Sequence, residues 1–569
     1  MNKTVMDIGY QLELLRRHEA LDQLEAAELL CIQLLKKYPQ HEQLLVDVAA
    51  MATRRGAAAV AETLLYRALA SNPFNSAAYL ALGMILYDQE DPQEAERYFR
   101  KALLVSPGNK EALRHLGTLL NECGRFNDAV SLLIEAHRLS PDSVPITQSL
   151  ADALQGTGQS QDAYRLYNRV LVQEPDNVNA LISMSVVCEH LDRMEEALEH
   201  LLHARETAPE NAQVYLNLGG ILRGMLKIDQ ALGCYEKALA LRPEYQTARW
   251  NICQIELLRG NYLKGFDYFD SRFHTSRPVL LRNSGLPTWN GEPVAGKRIL
   301  VQSEQAYGDT IQFVRYLPLL AEMGATVVLE NRLTPLNQLL RSLSGVDLIT
   351  DGTTAGQTCD FAIALLSLPR LLATTLQTIP SAVPYLAPSS QKKEYWRSKL
   401  RPDGNLKVGI CWAGRKLPDA RRTIPAACLS ALAAVSQVNW YSLQINEGGS
   451  HFEQPPLNPL IDLTGSIRDF EDTAALVSGL DLVITIDSAV AHLAGSLAVP
   501  TWLLLPFAPD WRWMLGRDDS PWYPTMRIFR QSQPGDWAGV LKRAASALEK
   551  FKRDKIYSKV YKEDTDNLN

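Results

Sequence analysis

The sequence predicts an α-solenoid followed by an α/β domain of two Rossmann-like lobes. Prolines recur every 34 residues through the front half, the period of a helix-turn-helix solenoid. After about residue 295 the helical period gives way to short apolar runs alternating with amphipathic stretches, the pattern of a parallel sheet covered by helices. Two of those runs end in glycine junctions, "YGDT" and "ICWAG", as strands do when they turn into a ligand-facing loop.

The solenoid comes first in the chain. Pro39, Pro73, Pro107, Pro141, Pro175, Pro209 and Pro243 mark the period, and Ala27, Ala61, Ala95, Ala129, Ala163, Ala197 and Ala231 keep the same spacing. Further small residues, among them Ala68, Ala102, Ala136, Ala204 and Ala238, let the second helix of each unit approach its neighbours. Gly83, Gly117 and Gly219 precede the alanine by twelve residues, and Phe99, Tyr167 and Tyr235 follow it by four. This pattern resembles the tetratricopeptide repeat over about residues 10–245. An eighth, degenerate unit, "TARWNICQIELLRGNYLKGFDYFDSRF", keeps Trp250 and Phe269, replaces the alanine by Gly265 and is expected to cap the array. The repeats and cap are assigned to 1–273. Arrays of this kind bind proteins or extended peptides on a curved surface, so a protein partner is expected; a spacer or dimerisation arm is the plainer alternative.

A connection at 274–295 leads to a first lobe at 296–390. Its expected elements are the strand "RILVQ", the helix "DTIQFVRYLPLLAEMG", the strand "TVVLE", the helix "RLTPLNQLLRSL" and the strand "VDLITDG", with "CDFAIALLSLPRLL" continuing the alternation. A second lobe at 391–552 opens with "LKVGICWAG" and continues through "NWYSLQ", "DLTG", "DLVITIDSAVAHLAGSLAV" and "PTWLLLP". Two facing lobes make a cleft at the carboxyl ends of their strands, where such sheets bind ligands. The charged segment 553–569 is expected to lack fixed structure, and its Asp564-Thr565-Asp566 is not read as a metal motif.

Composition bounds the function. The 569 residues are 46% hydrophobic and 21% charged with a net charge of -6, which gives no general electrostatic reason to bind nucleic acid or anionic membrane. No stretch reaches the roughly 18 apolar residues of a membrane span, and the first residues lack a signal-peptide core, so a cytoplasmic protein is expected. The eight cysteines are scattered, with no Cys/His cluster at metal-ligand spacing; they read as small buried residues in a reducing compartment.

"GDTIQFVRYLP" together with "DLVITIDSAVAHLAGSLAVPTWLLL" resembles the GT-B glycosyltransferases related to bacterial heptosyltransferases (family 9-like). The run "FAPDWRWMLGRDDSPWYPTMRIFRQ" resembles the bacterial branch in which this domain is fused to tetratricopeptide repeats. That branch is similar in layout to O-linked N-acetylglucosamine transferases and includes flagellin glycosyltransferases. The resemblance implies a GT-B domain and transfer of a sugar from a nucleotide-sugar donor to a protein acceptor, with flagellin the acceptor that the flagellin-modifying members suggest.

Asp309, after Gly308 at the first strand-helix junction, has two readings. Its position suits a helix N-cap, and the resemblance implies the general base that takes the acceptor hydroxyl proton. "TIDSAVAHLAGS" supplies the donor-site candidates: Asp487 ends a strand, Ser488 opens a helix whose N-H groups suit phosphate, and His492 lies one turn in. "WAGRKLPDARRTIP" adds Gly414, Arg415, Lys416 and Arg422 as a basic phosphate loop, with a solvated loop as the plain alternative. Gln444 and Thr464-Gly465 end further strands near the expected pocket. Trp502, Phe507, Trp511, Trp513 and Trp522 read better as packing between lobes than as an acceptor wall. Ser303, Ala306 and Tyr307 stand where relatives tend to have Gly, Gly and Leu. The scheme needs no metal and no cofactor, since basic side chains and helix dipoles can stabilise a departing phosphate. The expected activity is therefore an inverting, metal-independent glycosyltransferase. The alternatives are a repeat scaffold with an inactive transferase-like domain and a transferase for lipopolysaccharide or polysaccharide.

Overall fold

The 34-residue period is realised as antiparallel helix pairs. The computed structural model describes residues 10–11, 13–14, 17–18, 24–275, 278–279, 281–304, 306–352, 358–414, 420–445 and 455–566. After a helix at Leu24–Lys37, pairs follow at Glu42–Arg54 with Ala58–Ser71, Ser76–Asp88 with Pro92–Val105, Lys110–Glu122 with Phe126–Leu139, Val144–Gly156 with Ser160–Gln173, and Val178–His190 with Met194–Thr207, and the chain continues through helices at Ala212–Gly224 and Ile228–Leu241. Local chemistry sets several of these boundaries. Asn75, Asn109 and Asn177, whole repeats apart, accept hydrogen bonds from the N-H groups of Ala78, Ala112 and Ala180 and so cap the first helix of each pair. Between the two helices the chain turns through a positive φ at Gly56, Glu90, Gly124, Gly158, Asp192, Leu226 and Gly260, again 34 residues apart.

The alanine column packs as its spacing predicts: Ala61, Ala95, Ala129, Ala163, Ala197 and Ala231 have no exposed surface. The side chain of Ala27 lies outside the described residues. The repeat glycines are explained by close approach. A Cβ on Gly83 would stand 2.6 Å from the Phe99 ring, and one on Gly117 would stand 2.5 Å from Leu133. Position four after the alanine therefore fills the space that the glycine vacates.

The chain forms two compact units, Met1–Ile221 and Leu222–Asn569. The second contains the end of the array and the whole α/β part. In the degenerate unit the second helix shrinks to Tyr262–Asp267, followed by a 3₁₀ turn at Phe269–His274. Gly265 replaces the alanine because a Cβ there would lie 2.6 Å from the Leu257 side chain.

Two all-parallel sheets follow. The first contains β1 (Arg298–Gln302), β2 (Thr326–Glu330), β3 (Leu348–Thr350) and β4 (Phe361–Ala364) in the order β3-β2-β1-β4. The second contains β5 (Leu406–Cys411), β6 (Val438–Ser442), β7 (Leu460–Asp462), β8 (Leu482–Ile486), β9 (Thr501–Leu505) and β10 (Met526–Arg530), in the order β10-β9-β8-β5-β6-β7. Strands β5, β8 and β9 are almost wholly buried, as continuous apolar runs between two helical layers should be. The helix expected from Asp309 onward is broken into Tyr307–Phe313, a 3₁₀ turn and Leu317–Glu322, with Pro318 opening the second piece.

Three expectations are corrected. The 274–295 stretch is not a free linker: Thr288 bridges Ala362 of β4, the Trp289 N-H donates to the Ala362 carbonyl over 2.9 Å, and the Trp289 ring is buried. The segment from 553 is not without structure, because the last helix runs Trp537–Asp566 and carries Asp564-Thr565-Asp566 on its final turn. The cysteines are also not all buried: Cys123 is exposed, and Cys234, Cys359 and Cys428 are half-buried.

Candidate functional site

The order of the second sheet makes β5 and β8 neighbours whose following loops leave in opposite directions. The crevice outside their carboxyl ends is the topological switch point of a doubly wound sheet. The loop after β5 is held open in a defined shape: the Gln444 side-chain oxygen accepts from the N-H groups of Trp412 at 3.2 Å and Ala413 at 2.9 Å. Gln444 is thus a buried brace for this loop. The next N-H, of Gly414, donates to the Thr423 hydroxyl at 3.2 Å. A Cβ on Gly414 would lie 2.8 Å from Nε of Arg422, so the glycine makes room for that guanidinium. Arg422 in turn donates to the carbonyl of Asp487 at 3.4 Å and bridges the two loops at the crevice. Arg415 and Lys416 lie outside the described residues.

After β8, Ser488 sits in extended conformation at the N-cap of the helix Ala489–Ser496 without capping it through its side chain. Its hydroxyl pairs with that of Thr485 at 3.1 Å. Burial and the nearby Asp510 push the Asp487 carboxyl up to about 6, against the opposing pull of Arg512 and Arg422. His492 is 4% exposed, with Nδ1 2.9 Å from the Tyr523 hydroxyl and its ring stacked on Trp513. Burial, followed by Arg512 and Arg315, holds it neutral by depressing its pKa well below the usual imidazole value. A Cβ on Gly308 would stand 2.9 Å from Cδ2 of His492. Gly308 therefore admits the histidine ring of the other lobe.

Asp309 is not an N-cap. Ala306 occupies that position without a capping side chain, and Asp309 falls in the first turn of the helix that starts at Tyr307. Its Oδ1 accepts from Nη2 of Arg512 at 2.6 Å. Arg512 also donates to Asp510 at 2.9 Å and, through Nε, to Gln312 at 2.8 Å, while its guanidinium lies 4.6 Å from the Trp511 ring centre. Burial raises the Asp309 pKa, and Arg512 opposes that rise. One arginine thus organises acids from both lobes.

Sequence reasoning missed Arg512 and Asp510. The signal was the acid-x-arginine inside "PDWRWM", where a charged pair sits among buried tryptophans. It also missed Glu304, buried on the loop after β1. Glu304 accepts a bidentate pair of bonds from Arg272 at 2.9 and 2.7 Å, and Arg272 reaches the Ser367 hydroxyl at 3.0 Å. Arg315, also buried, donates to the carbonyl of Trp522 at 2.6 Å and to the hydroxyl of Tyr385 at 2.8 Å. The tryptophans pack: Trp511 meets Tyr262, Phe266 and Phe269 edge-on, and Trp522 donates to the Tyr262 hydroxyl. Tyr307 lies against Phe470 with ring centres 4.7 Å apart.

Comparison with known proteins identifies the front half. Family models described as tetratricopeptide repeat match residues 86–151, 120–184 and 176–244. Protein FlbA of Caulobacter vibrioides (strain ATCC 19089 / CIP 103742 / CB 15) is 28% identical over 332 residues, which are 52% of this chain and 54% of FlbA. The chain thus spans about half the length of this curated relative. Among solved structures, Pseudomonas aeruginosa pilF aligns with 37% of this chain and 95% of its own, at 19% identity and a TM-score of 0.33. YrrB, a TPR protein with an unusual peptide-binding site, aligns with 32% of this chain and 95% of its own, at 18% identity and a TM-score of 0.28. No helix among the described residues is long and apolar enough to cross a membrane.

Proposed function

We propose that the chain is an inverting glycosyltransferase of the GT-B type, moving a sugar from a nucleotide-sugar to a protein acceptor recruited by the tetratricopeptide repeats. The observation that carries this reading is the strand order of the second sheet, which reverses between β5 and β8 where Arg422 spans the two loops. In this reading the donor's phosphates lie against Arg422, the Ser488 hydroxyl and the first-turn N-H groups of the helix Ala489–Ser496. Arg415 and Lys416 add charge to the same loop. These groups stabilise the negative charge left on the departing phosphate, so the step needs no metal ion. Asp309 accepts the acceptor hydroxyl proton as that oxygen bonds to the anomeric carbon. The bond from that carbon to the phosphate oxygen breaks, and its electron pair leaves with the nucleotide. The burial that raises the Asp309 pKa supports its use as a base, and Arg512 fixes its direction. The choice of flagellin as acceptor rests on sequence resemblance alone.

A second reading, a repeat scaffold with an inactive transferase-like domain, is favoured by one observation. Asp309 is already neutralised by Arg512 at 2.6 Å. Thermal unfolding with a panel of nucleoside diphosphates separates the two. An active transferase gives a rise in midpoint with one nucleotide that Arg422→Ala removes and Asp309→Asn retains. Mass spectrometry of the acceptor then shows sugar transfer by the parent chain and none by Asp309→Asn. The absence of a shift with every nucleotide selects the scaffold.

A further inference from the structure

One repeat departs from the array's own pattern at two facing positions. The position of Cys188 is leucine in the neighbouring units, at Leu86, Leu120, Leu154 and Leu222. The position of His200 is Leu64, Tyr98, Leu132 and Leu166 in earlier units. Both changes exchange an apolar contact for a metal-ligating side chain, and both occur in the pair formed by Val178–His190 and Met194–Thr207. Glu196 stands one helical turn before His200, so the two present their heads side by side.

The structure brings the three together. Cys188 Sγ, a Glu196 carboxylate oxygen and a His200 ring nitrogen all lie within 4.8 Å of one another. Nε2 of His200 is 3.9 Å from Oε1 of Glu196. Ligands held at roughly 2.0–2.3 Å in a tetrahedral shell are about 3.4–3.8 Å apart, so small side-chain rotations close the site. Cys188 is fully buried, while the side chains of Glu196 and His200 are 31% and 24% exposed, giving the cluster a dry floor and a solvent-facing mouth. The Tyr164 hydroxyl donates to Oε1 of Glu196 at 2.6 Å and orients the carboxylate, as outer groups orient metal ligands. Arg193 lies 3.6 Å from Oε2 of the same carboxylate and opposes a cation. Selectivity therefore falls to the thiolate and imidazole, which prefer zinc to magnesium or calcium.

We propose that Cys188, Glu196 and His200 form a binding site for a zinc-class divalent ion inside the repeat array, separate from the transferase-like domain. The ion takes three protein ligands and a water. Cys188 loses its thiol proton to solvent as the metal-sulfur bond forms, and the two helices of this unit become cross-linked. The site makes the stability of one repeat depend on metal.

Titration of the chelator-treated full chain with Co²⁺, then Zn²⁺, tests this. The expected result is one equivalent of Co²⁺ with near-ultraviolet thiolate-to-cobalt charge-transfer absorption, displaced by Zn²⁺, and a raised unfolding midpoint with either metal. Cys188→Leu and His200→Leu restore residues that other repeats carry, so they are expected to fold and to lose the absorption and the stabilisation. Cys123→Ser, which removes an exposed thiol, is expected to keep both. No charge-transfer absorption in the parent chain, or the same absorption in His200→Leu, overturns the proposal. Circular dichroism checks each variant, and if Cys188→Leu does not fold, His200→Leu alone decides.

Discussion

Glu90 occupies a left-handed turn position that glycine fills at 56, 124, 158 and 260, and its φ is 62°. A non-glycine residue there carries a backbone penalty of about 1 kcal/mol. Glu90 is exposed, so little packing is lost on replacement, and Glu90→Gly is expected to raise the urea midpoint by a stabilisation of about 1 kcal/mol. Gly124→Ala is expected to lower it by a similar amount. Asp487 is a residue with the opposite economy. Its folded pKa is raised from 3.8 to about 6, so the folded state binds its proton more tightly than the unfolded state. The associated stability is present below about pH 4 and is lost as pH rises through about 6, on the order of 3 kcal/mol. Asp487→Asn, measured by urea unfolding between pH 4.5 and 7.5, is expected to flatten this dependence. An unchanged slope would contradict the assignment. Asp309 was legible in the sequence as a glycine-aspartate junction. Its partner Arg512 was not, because pairing across 203 residues leaves no local spacing to read.

At the scale of elements, the 3₁₀ turn Phe269–His274 is fixed by an ion pair. Arg272 and Glu304 are both nearly inaccessible, with side-chain exposures of 4% and 3%, and Arg272 is shared with Asp270 at 2.7 Å. Removing Glu304 strips the buried guanidinium of its bidentate partner and leaves it only the half-buried Asp270. Because Asp270 stays beside the arginine, Glu304→Ala is expected to cost about 3 kcal/mol in denaturant unfolding, the low end for breaking a buried pair, and Glu304→Gln less. Gly308→Ala tests the contact between lobes. The added methyl meets the His492 ring, so a loss of about 1–3 kcal/mol is expected, with the Tyr523 contact disturbed. Repeat helices and most strands were legible because proline, alanine and apolar runs have fixed periods. The broken helix after Asp309 was less so: its amphipathic pattern is continuous across Pro318, and only the backbone shows the interruption. The stretch around Trp289 was read as a connection because its Pro and Gly content hides a single buried ring beside β4.

For the whole molecule, the degenerate cap belongs to the α/β domain in packing. One core joins Leu257, Tyr262, Phe266 and Phe269 to Val301 and Leu329 of the first sheet and to Trp511 and Trp522. A fragment of residues 208–569 is expected to unfold in one cooperative transition, whereas 275–569, lacking those four side chains, is expected to melt early or aggregate. Calorimetry of the two fragments checks this. The change of period near residue 295 is visible in sequence, but it does not mark this packing boundary, because a repeat helix looks the same whether it rests on another repeat or on a sheet.

That shared core divides the array into two regimes of packing. Up to Ile221 the repeats form a compact unit of their own, in which each helix pair repeats the spacing of the last and finds its packing partners within the series. From Leu257 onward the side chains interlock instead with tryptophans and strands, a surface that does not repeat.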